Sequence, residues 1–310
     1  MFDAWGQEIP RFYQLETLAN GVEAVMSGGD KFIKPSVHEA LGPAAVTSYQ
    51  FELFQEGRYQ LIYQLRAYNT NKKEGVFAFV VAKKDGDYSK VAQSEHNNLT
   101  YYHKRLGNDV VRPYLGGLIY LPDRHGRREK GRLIYAYLTR WLTGYHELGI
   151  NRRLRLIINV KQAKVFSTEQ EDIIRAKIIA IYARTYDDRQ HTAMDLPQIA
   201  SGDFVVTPPS KARPNVKLIA CRRIRRNLTP AKLLHTALTT EWDWGDEKFN
   251  LAPRDPAVWY SELANALGKD TATLWLKQYI DALEHKRFRL PTRYPVSELK
   301  TLAQNRRAFK

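Results

Sequence analysis

From Val46 to Lys84 apolar and polar residues alternate with period two: Tyr49, Phe51 and Leu53, then Tyr59, Leu61, Tyr63 and Leu65, each set off by polar neighbours. The alternation predicts two strands joined at Gly57, a polar turn over residues 69–75, and a third strand over the apolar run 76–82. Residues 89–106 read as a helix, with Val91, Leu99, Tyr102 and Leu106 near one face. Two further apolar runs, 118–121 and 133–138, predict strands flanking a polar, arginine-rich loop. From about residue 167 the period lengthens. Ile173, Ile174, Ala176, Ile178, Ala180 and Ile181 fall at helical spacing within a helix expected over 168–186. The change from strands to helices near residue 141 marks a boundary. The expectation is an α+β chain: an irregular N-terminal extension over 1–45 with one or two short helices, an antiparallel sheet with one inserted helix over 46–141, and a helical part over 142–310.

Composition narrows the classes. A chain of 310 residues, 44% hydrophobic and 26% charged, has enough apolar surface for one large core or two modest ones. Its one cysteine, Cys221, rules out a disulfide framework and a cysteine-built zinc site, and the eight histidines lack metal-binding spacing. No bound metal is expected from the side chains. The start of the chain has no basic stretch leading into an apolar run, and the longest apolar run, 76–82, is too short for a bilayer. A cytoplasmic protein without a membrane span is the expectation. The net charge of +15, from 48 Lys and Arg against 33 Asp and Glu, favours an anionic partner: nucleotide, nucleic acid, acidic protein or lipid head groups.

Several residues then stand in a suggestive order. The third strand ends Val81-Ala82-Lys83-Lys84, the next helix holds Glu95, and much later Ser201-Gly202-Asp203-Phe204 precedes Val216-Lys217-Leu218-Ile219-Ala220-Cys221-Arg222-Arg223. Over residues 46–235 this order resembles the protein-kinase-like superfamily, nearest to its small-molecule and lipopolysaccharide-kinase branches. The resemblance implies a two-lobed fold that binds ATP. It makes Lys84 the cation that meets the α- and β-phosphates, and Glu95 the carboxylate that holds that lysine extended. Adjacent lysines on a strand face opposite ways, so Lys83 is the fallback for the same task. Gly57 falls in the loop that covers the phosphates, with Arg58 as a candidate aid. Residues 134–142 fall in the segment that reads the adenine edge through its backbone, and Asp203 falls where the attacking hydroxyl is oriented. The magnesium positions depart from the pattern: Thr207-Pro208-Pro209 stands where an asparagine is expected, and Ala220 where the metal-binding aspartate is expected. Without those ligands the phosphates lose their electrostatic clamp. The expectation is therefore a degenerate phosphotransferase, a pseudokinase that binds a nucleotide or an acidic partner in a regulatory or scaffolding role, with catalysis left open. Arg222, Arg223, Arg225 and Arg226 offer phosphate contacts without a metal, or a solvated strand exit.

A rival lies nearer the C-terminus. Asp255-Pro256 starts a capped helix that ends at Gly268, and a second follows Asp270. Residues 255–290 resemble a helix-turn-helix, with Ala264, Leu274 and Ile280 at packing positions. Lys269, Thr271, Thr273 and Lys277 would then face a DNA groove. A nuclease core around Asp203 is the third possibility, but Cys221 and Arg223 occupy the places its glutamate and lysine would need.

Overall fold

The computed structural model describes residues 30–44, 46–57, 59–121, 132–158, 163–244, 247–288 and 293–304. The described residues form two compact units. One runs up to His103 and adds Val111–Thr143; the other joins Lys104–Val110 to the residues from Gly144 onward.

The first unit opens with α1 (Asp30–Leu41), in the N-terminal extension where one or two short helices were expected. Phe32, Ile33 and Val37 are buried along one side of it. The Ser36 hydroxyl donates to the Phe32 carbonyl and accepts the Leu115 amide, which ties α1 to the sheet. That sheet is built from β1 (Val46–Glu56), β2 (Gln60–Asn69), β3 (Glu74–Ala82), β4 (Pro113–Leu121) and β5 (Arg132–Arg140), with α2 (Asp87–Leu106) inserted between β3 and β4. Its spatial order is β1-β2-β3-β5-β4, with every pair antiparallel. Three strands, a helix and two strands is the succession the kinase-like resemblance implied. One face buries Tyr63, Leu65, Phe77 and Phe79. The other is covered by α2, whose buried stripe runs Ala92, Glu95, His96, Leu99 and Tyr102.

The second unit is α+β as well. A five-stranded antiparallel sheet takes the order β11-β10-β6-β7-β8, from β6 (His146–Ile150), β7 (Leu156–Ile158), β8 (Lys164–Val165), β10 (Phe204–Val206) and β11 (Val216–Leu218). The short strand β9 (Ala193–Met194) pairs with β12 (Ile224–Arg225), and β13 (Glu241–Trp244) with β14 (Glu247–Asn250). Helices α3 (Thr168–Arg184), α4 (Pro230–Thr239), α5 (Pro256–Leu267), α6 (Lys269–Glu284) and α7 (Val296–Gln304) make up most of the rest. The α3 helix starts at a capping box, Ser167 and Gln170 each satisfying the other's backbone. It is buried on nearly all sides, Ile174, Ile178, Ile179 and Tyr182 being fully enclosed, which explains its weak amphipathic signal.

Glu171, in the first turn of α3, has no exposed side-chain surface and gathers three guanidinium groups. Arg155 lies at 2.5 Å, Arg254 at 2.9 Å and Arg175 at 3.6 Å, and the Leu156 amide donates to it at 3.2 Å. Burial pulls the Arg175 guanidinium down to about 10, and Glu171 opposes that shift. Replacing Glu171 by Ala strips Arg175 of its ion-pair partner and leaves Asp172 as the acid acting on it. Urea unfolding of Glu171→Ala is expected to show a loss of about 3–5 kcal/mol, the range for a buried charge stripped of its partner.

Candidate anion-binding site

The end of β3 settles the direction of the two lysines. The Lys83 amide donates to the Tyr59 carbonyl at 2.9 Å, so the ladder with the first hairpin continues one residue past β3. Glu56 pairs with Leu61, and Leu61 with Val81, which puts Glu56 and Val81 on one face with Lys83 two residues further along. The Lys83 ammonium forms an ion pair with Glu56 and donates to the Gly57 carbonyl at 3.3 Å. Both ionic side chains are mostly enclosed, 18% and 11% exposed. The chain then bends. Lys84 is exposed, its ammonium 5.6 Å from the centre of the Tyr88 ring in the first turn of α2, and its carbonyl accepts the Ser89 hydroxyl. The inward lysine is therefore Lys83, and Lys84 is the one open to solvent, the reverse of the sequence expectation. Gly57 closes the hairpin through its amide, which donates to the Gln60 carbonyl at 2.8 Å. A Cβ at Gly57 would meet that oxygen at 3.4 Å, ordinary contact, so the turn makes no steric demand for glycine. Arg58 lies outside the described residues.

Glu95 meets a tyrosine rather than a lysine. Its Oε1 accepts the Tyr137 hydroxyl at 2.5 Å on the α2-covered face, where Tyr137 stands opposite Val80. The expected salt bridge with Lys84 is absent: that lysine leans on Tyr88, and Lys83 has turned to the other face. Beside Glu95, His96 Nε2 lies 2.7 Å from the Tyr114 carbonyl, which can only accept. That contact places the proton on Nε2 and leaves Nδ1 to accept the Tyr135 hydroxyl at 2.8 Å. The ring stacks on Tyr137 with centroids 4.9 Å apart. Gly116 permits this packing, since a Cβ there would fall 2.6 Å from Tyr137 Cβ and 2.9 Å from the His96 ring. Sequence reading missed His96 because both its partners are strand residues brought close by the fold alone.

Residues 134–140 lie within β5, between β3 and β4, so the backbone expected to read a base is already committed to the sheet. The ladder extends to Trp141, whose amide donates to the Val76 carbonyl. By alternation Trp141 shares the α2-covered face with Tyr137. There it meets Phe54 edge-on, with centroids 4.8 Å apart, at a bulge in β1 that leaves Phe54 58% exposed.

In the second unit Asp203 closes a single 3-10 turn (Ser201–Asp203), its Oδ2 accepting the Ala200 amide at 2.9 Å. The same carboxylate binds Arg222 Nη1 at 2.8 and 2.9 Å. Burial lifts the Asp203 carboxyl above the usual aspartate range, while Arg222 and the Ala200 amide pull it down. Ala220 is buried and brings no donor atom. The Asn215 side chain is spent on the Tyr145 hydroxyl and the Val216 amide. A magnesium ion clamped as the resemblance would have it does not fit this donor set. Among the described residues no cluster of three or more His, Cys, Asp or Glu is arranged to hold a metal. Cys221 is buried as a free thiol.

The helix pair near the C-terminus exists, joined at Gly268, whose φ of +83° favours glycine. Its packing differs from the expected one. Leu274 is 54% exposed, while Ala272, Trp275, Leu276, Tyr279 and Ile280 are buried, Trp275 meeting Tyr186 and Tyr279 meeting His235. Thr273 is engaged by the Tyr260 hydroxyl, and the exposed side mixes Lys269 and Lys277 with Asp270 and Asp281.

No family model matches the chain, and no curated protein matches it. Among solved structures it is similar to a macrolide 2'-phosphotransferase type I, with 11% identity over 91% of this chain and 89% of that one and a TM-score of 0.33. It is also similar to an amicoumacin kinase in complex with AMP-PNP, Ca2+ and Ami, with 9% identity over 89% of this chain and 95% of that one and a TM-score of 0.33. Likeness at that level does not define a fold, and the α+β assignment rests on the strand order and pairing of this chain. Among the described residues no helix is long and apolar enough to cross a membrane.

Burial lowers the His96 pKa, and the Tyr114 carbonyl partly offsets this. The folded state then binds a proton less readily than the unfolded chain, so His96 adds stability that is complete above its ordinary value of 6.5 and lost as pH falls toward the lowered one. Glu95, Tyr114, Tyr135 and Tyr137 surround the ring and set this balance. Denaturation profiles between pH 7 and pH 5 (about the histidine range) are expected to fall less steeply in His96→Gln than in the unsubstituted protein. The difference is bounded by roughly 1.4 kcal/mol per pH unit.

Proposed function

We propose that the protein binds a nucleotide, ATP being the reference ligand, through its first unit, and carries out little or no phosphoryl transfer. The supporting observation is an unneutralised cation and an exposed aromatic pair on one sheet. At the end of β3, Lys83 is already matched by Glu56, while Lys84 has no acid partner among the described residues and is exposed. On the α2-covered face, Phe54 and Trp141 present an edge-to-face aromatic corner to solvent. A flat heterocycle gains by stacking there, and its polyphosphate gains by meeting Lys84. Glu95 supports the face through Tyr137 rather than by gripping the lysine, so Lys84 keeps its freedom until a ligand orders it.

The second unit explains why transfer is not expected. A group that orients an attacking hydroxyl must be within its reach, and Asp203 is 4% exposed with both oxygens within 2.9 Å of Arg222 Nη1. With Ala220 and Pro208 at the metal positions, no side chain there bridges the β- and γ-phosphates. A role in regulation or scaffolding, switched by nucleotide occupancy, follows from binding without turnover.

Lys84→Ala is the direct test. Its removal is expected to weaken ATP binding at least about tenfold, roughly 1.4 kcal/mol, without changing the unfolding midpoint of the free protein. The measurement is a calorimetric titration alongside a ligand-free melt. Equal affinity in the variant, or no heat with either protein, contradicts the proposal.

A further inference from the structure

Glu56 stands where an anionic ligand would want no negative charge. It ends β1 beside the hairpin turn at Gly57, and it is 11% exposed. Its partner Lys83 is the residue immediately before the cation proposed to meet phosphate. Lys83 is held twice by the same hairpin, by the Glu56 carboxylate and by the Gly57 carbonyl at 3.3 Å. The hairpin tip is thus fastened to β3 by an internal anion on a lysine, the contact a phosphate would otherwise make. We propose that Glu56 is a built-in competitor for the ligand's polyphosphate: it occupies Lys83, keeps the local charge near neutral, and sets the affinity of the site low. Neutralising Glu56 frees Lys83, at the end of its strand, to turn from the face it shares with Val81 toward a phosphate held at Lys84. This inference rests on the nucleotide-binding reading and describes its regulation.

The chemistry argues for competition rather than mere support. A carboxylate and a polyphosphate at neighbouring positions repel each other, and the penalty is larger in a partly enclosed place than in open water. Of the three ammonium donors of Lys83 one meets the Glu56 carboxylate and one the Gly57 carbonyl, so a phosphate reaching this lysine also meets the Glu56 charge, and the two anions compete for it. Because Lys83 also bonds the Gly57 carbonyl, the exchange frees the hairpin tip together with the lysine.

Two measurements test it. In the first, ATP and inorganic tripolyphosphate are titrated into the unsubstituted protein, Glu56→Gln, Lys83→Met and the double variant, each checked by thermal melting. Glu56→Gln is expected to bind both ligands about tenfold more tightly, and the gain is expected to vanish in the Lys83→Met background. In the second, without ligand, an amine-acylating reagent followed by mass spectrometry should label Lys83 several times faster in Glu56→Gln. If the unsubstituted protein binds ATP and Glu56→Gln binds no better, or its gain survives Lys83→Met, the competitor role is overturned and the nucleotide reading stands. If neither protein binds ATP while Lys83 becomes reactive, the nucleotide reading is the one that fails. Unchanged Lys83 reactivity overturns the claim that Glu56 holds this lysine.

Discussion

A charge withdrawn from water must find its counterpart inside the chain, and that constraint organises this protein. Glu171 answers it with three arginines, Asp203 with Arg222, Lys83 with Glu56, and Glu95 with the Tyr137 hydroxyl. Each match stabilises its neighbourhood and also retires a group from chemistry. An aspartate that must neutralise a guanidinium is a poor partner for a substrate hydroxyl, and a lysine held by its own hairpin is slow to meet a phosphate. Lys84 and the exposed pair Phe54 and Trp141 are among the described groups that this matching leaves open, and the proposed ligand site is drawn from them.

The two units meet the constraint differently. In the first, the sheet is apolar enough on the α1 side that its ionic groups are pushed to the ends of strands and to the α2 interface. There Glu95 and His96 sit side by side, each satisfied by a tyrosine from β5. Gly116 makes this possible by leaving no side chain between β4 and the histidine ring. In the second unit α3 is enclosed on almost every side, so Glu171 in its first turn cannot reach water and gathers Arg175 from its own helix and Arg155 and Arg254 from elsewhere in the chain.

Much of the first unit was legible because its signals are local. The period-two runs around Phe51 and Tyr63, the apolar block before Lys83 and the stripe through Leu99 and Tyr102 depend on near neighbours alone. The α1 helix was harder to see, since Pro35 lies within it and its apolar residues gain meaning only against the sheet. The strands β6, β7 and β8 are two to five residues long, too short for any period to show. The direction of the lysines turned on the strand register and the bend just after β3, whereas the choice of Lys84 had come from the motif, since alternation alone leaves either lysine open. The partners of Asp203 and Glu95 lie 19 and 42 residues away, and no spacing rule reaches so far. On α6 the helix was visible, and of its two expected packing residues Ile280 is buried while Leu274 is exposed beside a buried Trp275.

The central claim is that a protein cation, Arg222, occupies the carboxylate that a metal-dependent phosphotransferase would keep for its reaction. Isothermal titration of ATP in excess chelator, repeated in excess magnesium, tests it most directly. The account predicts measurable binding in chelator and an affinity that magnesium changes by less than about threefold, under 1 kcal/mol. Binding that appears with magnesium alone, accompanied by release of inorganic phosphate, would contradict it.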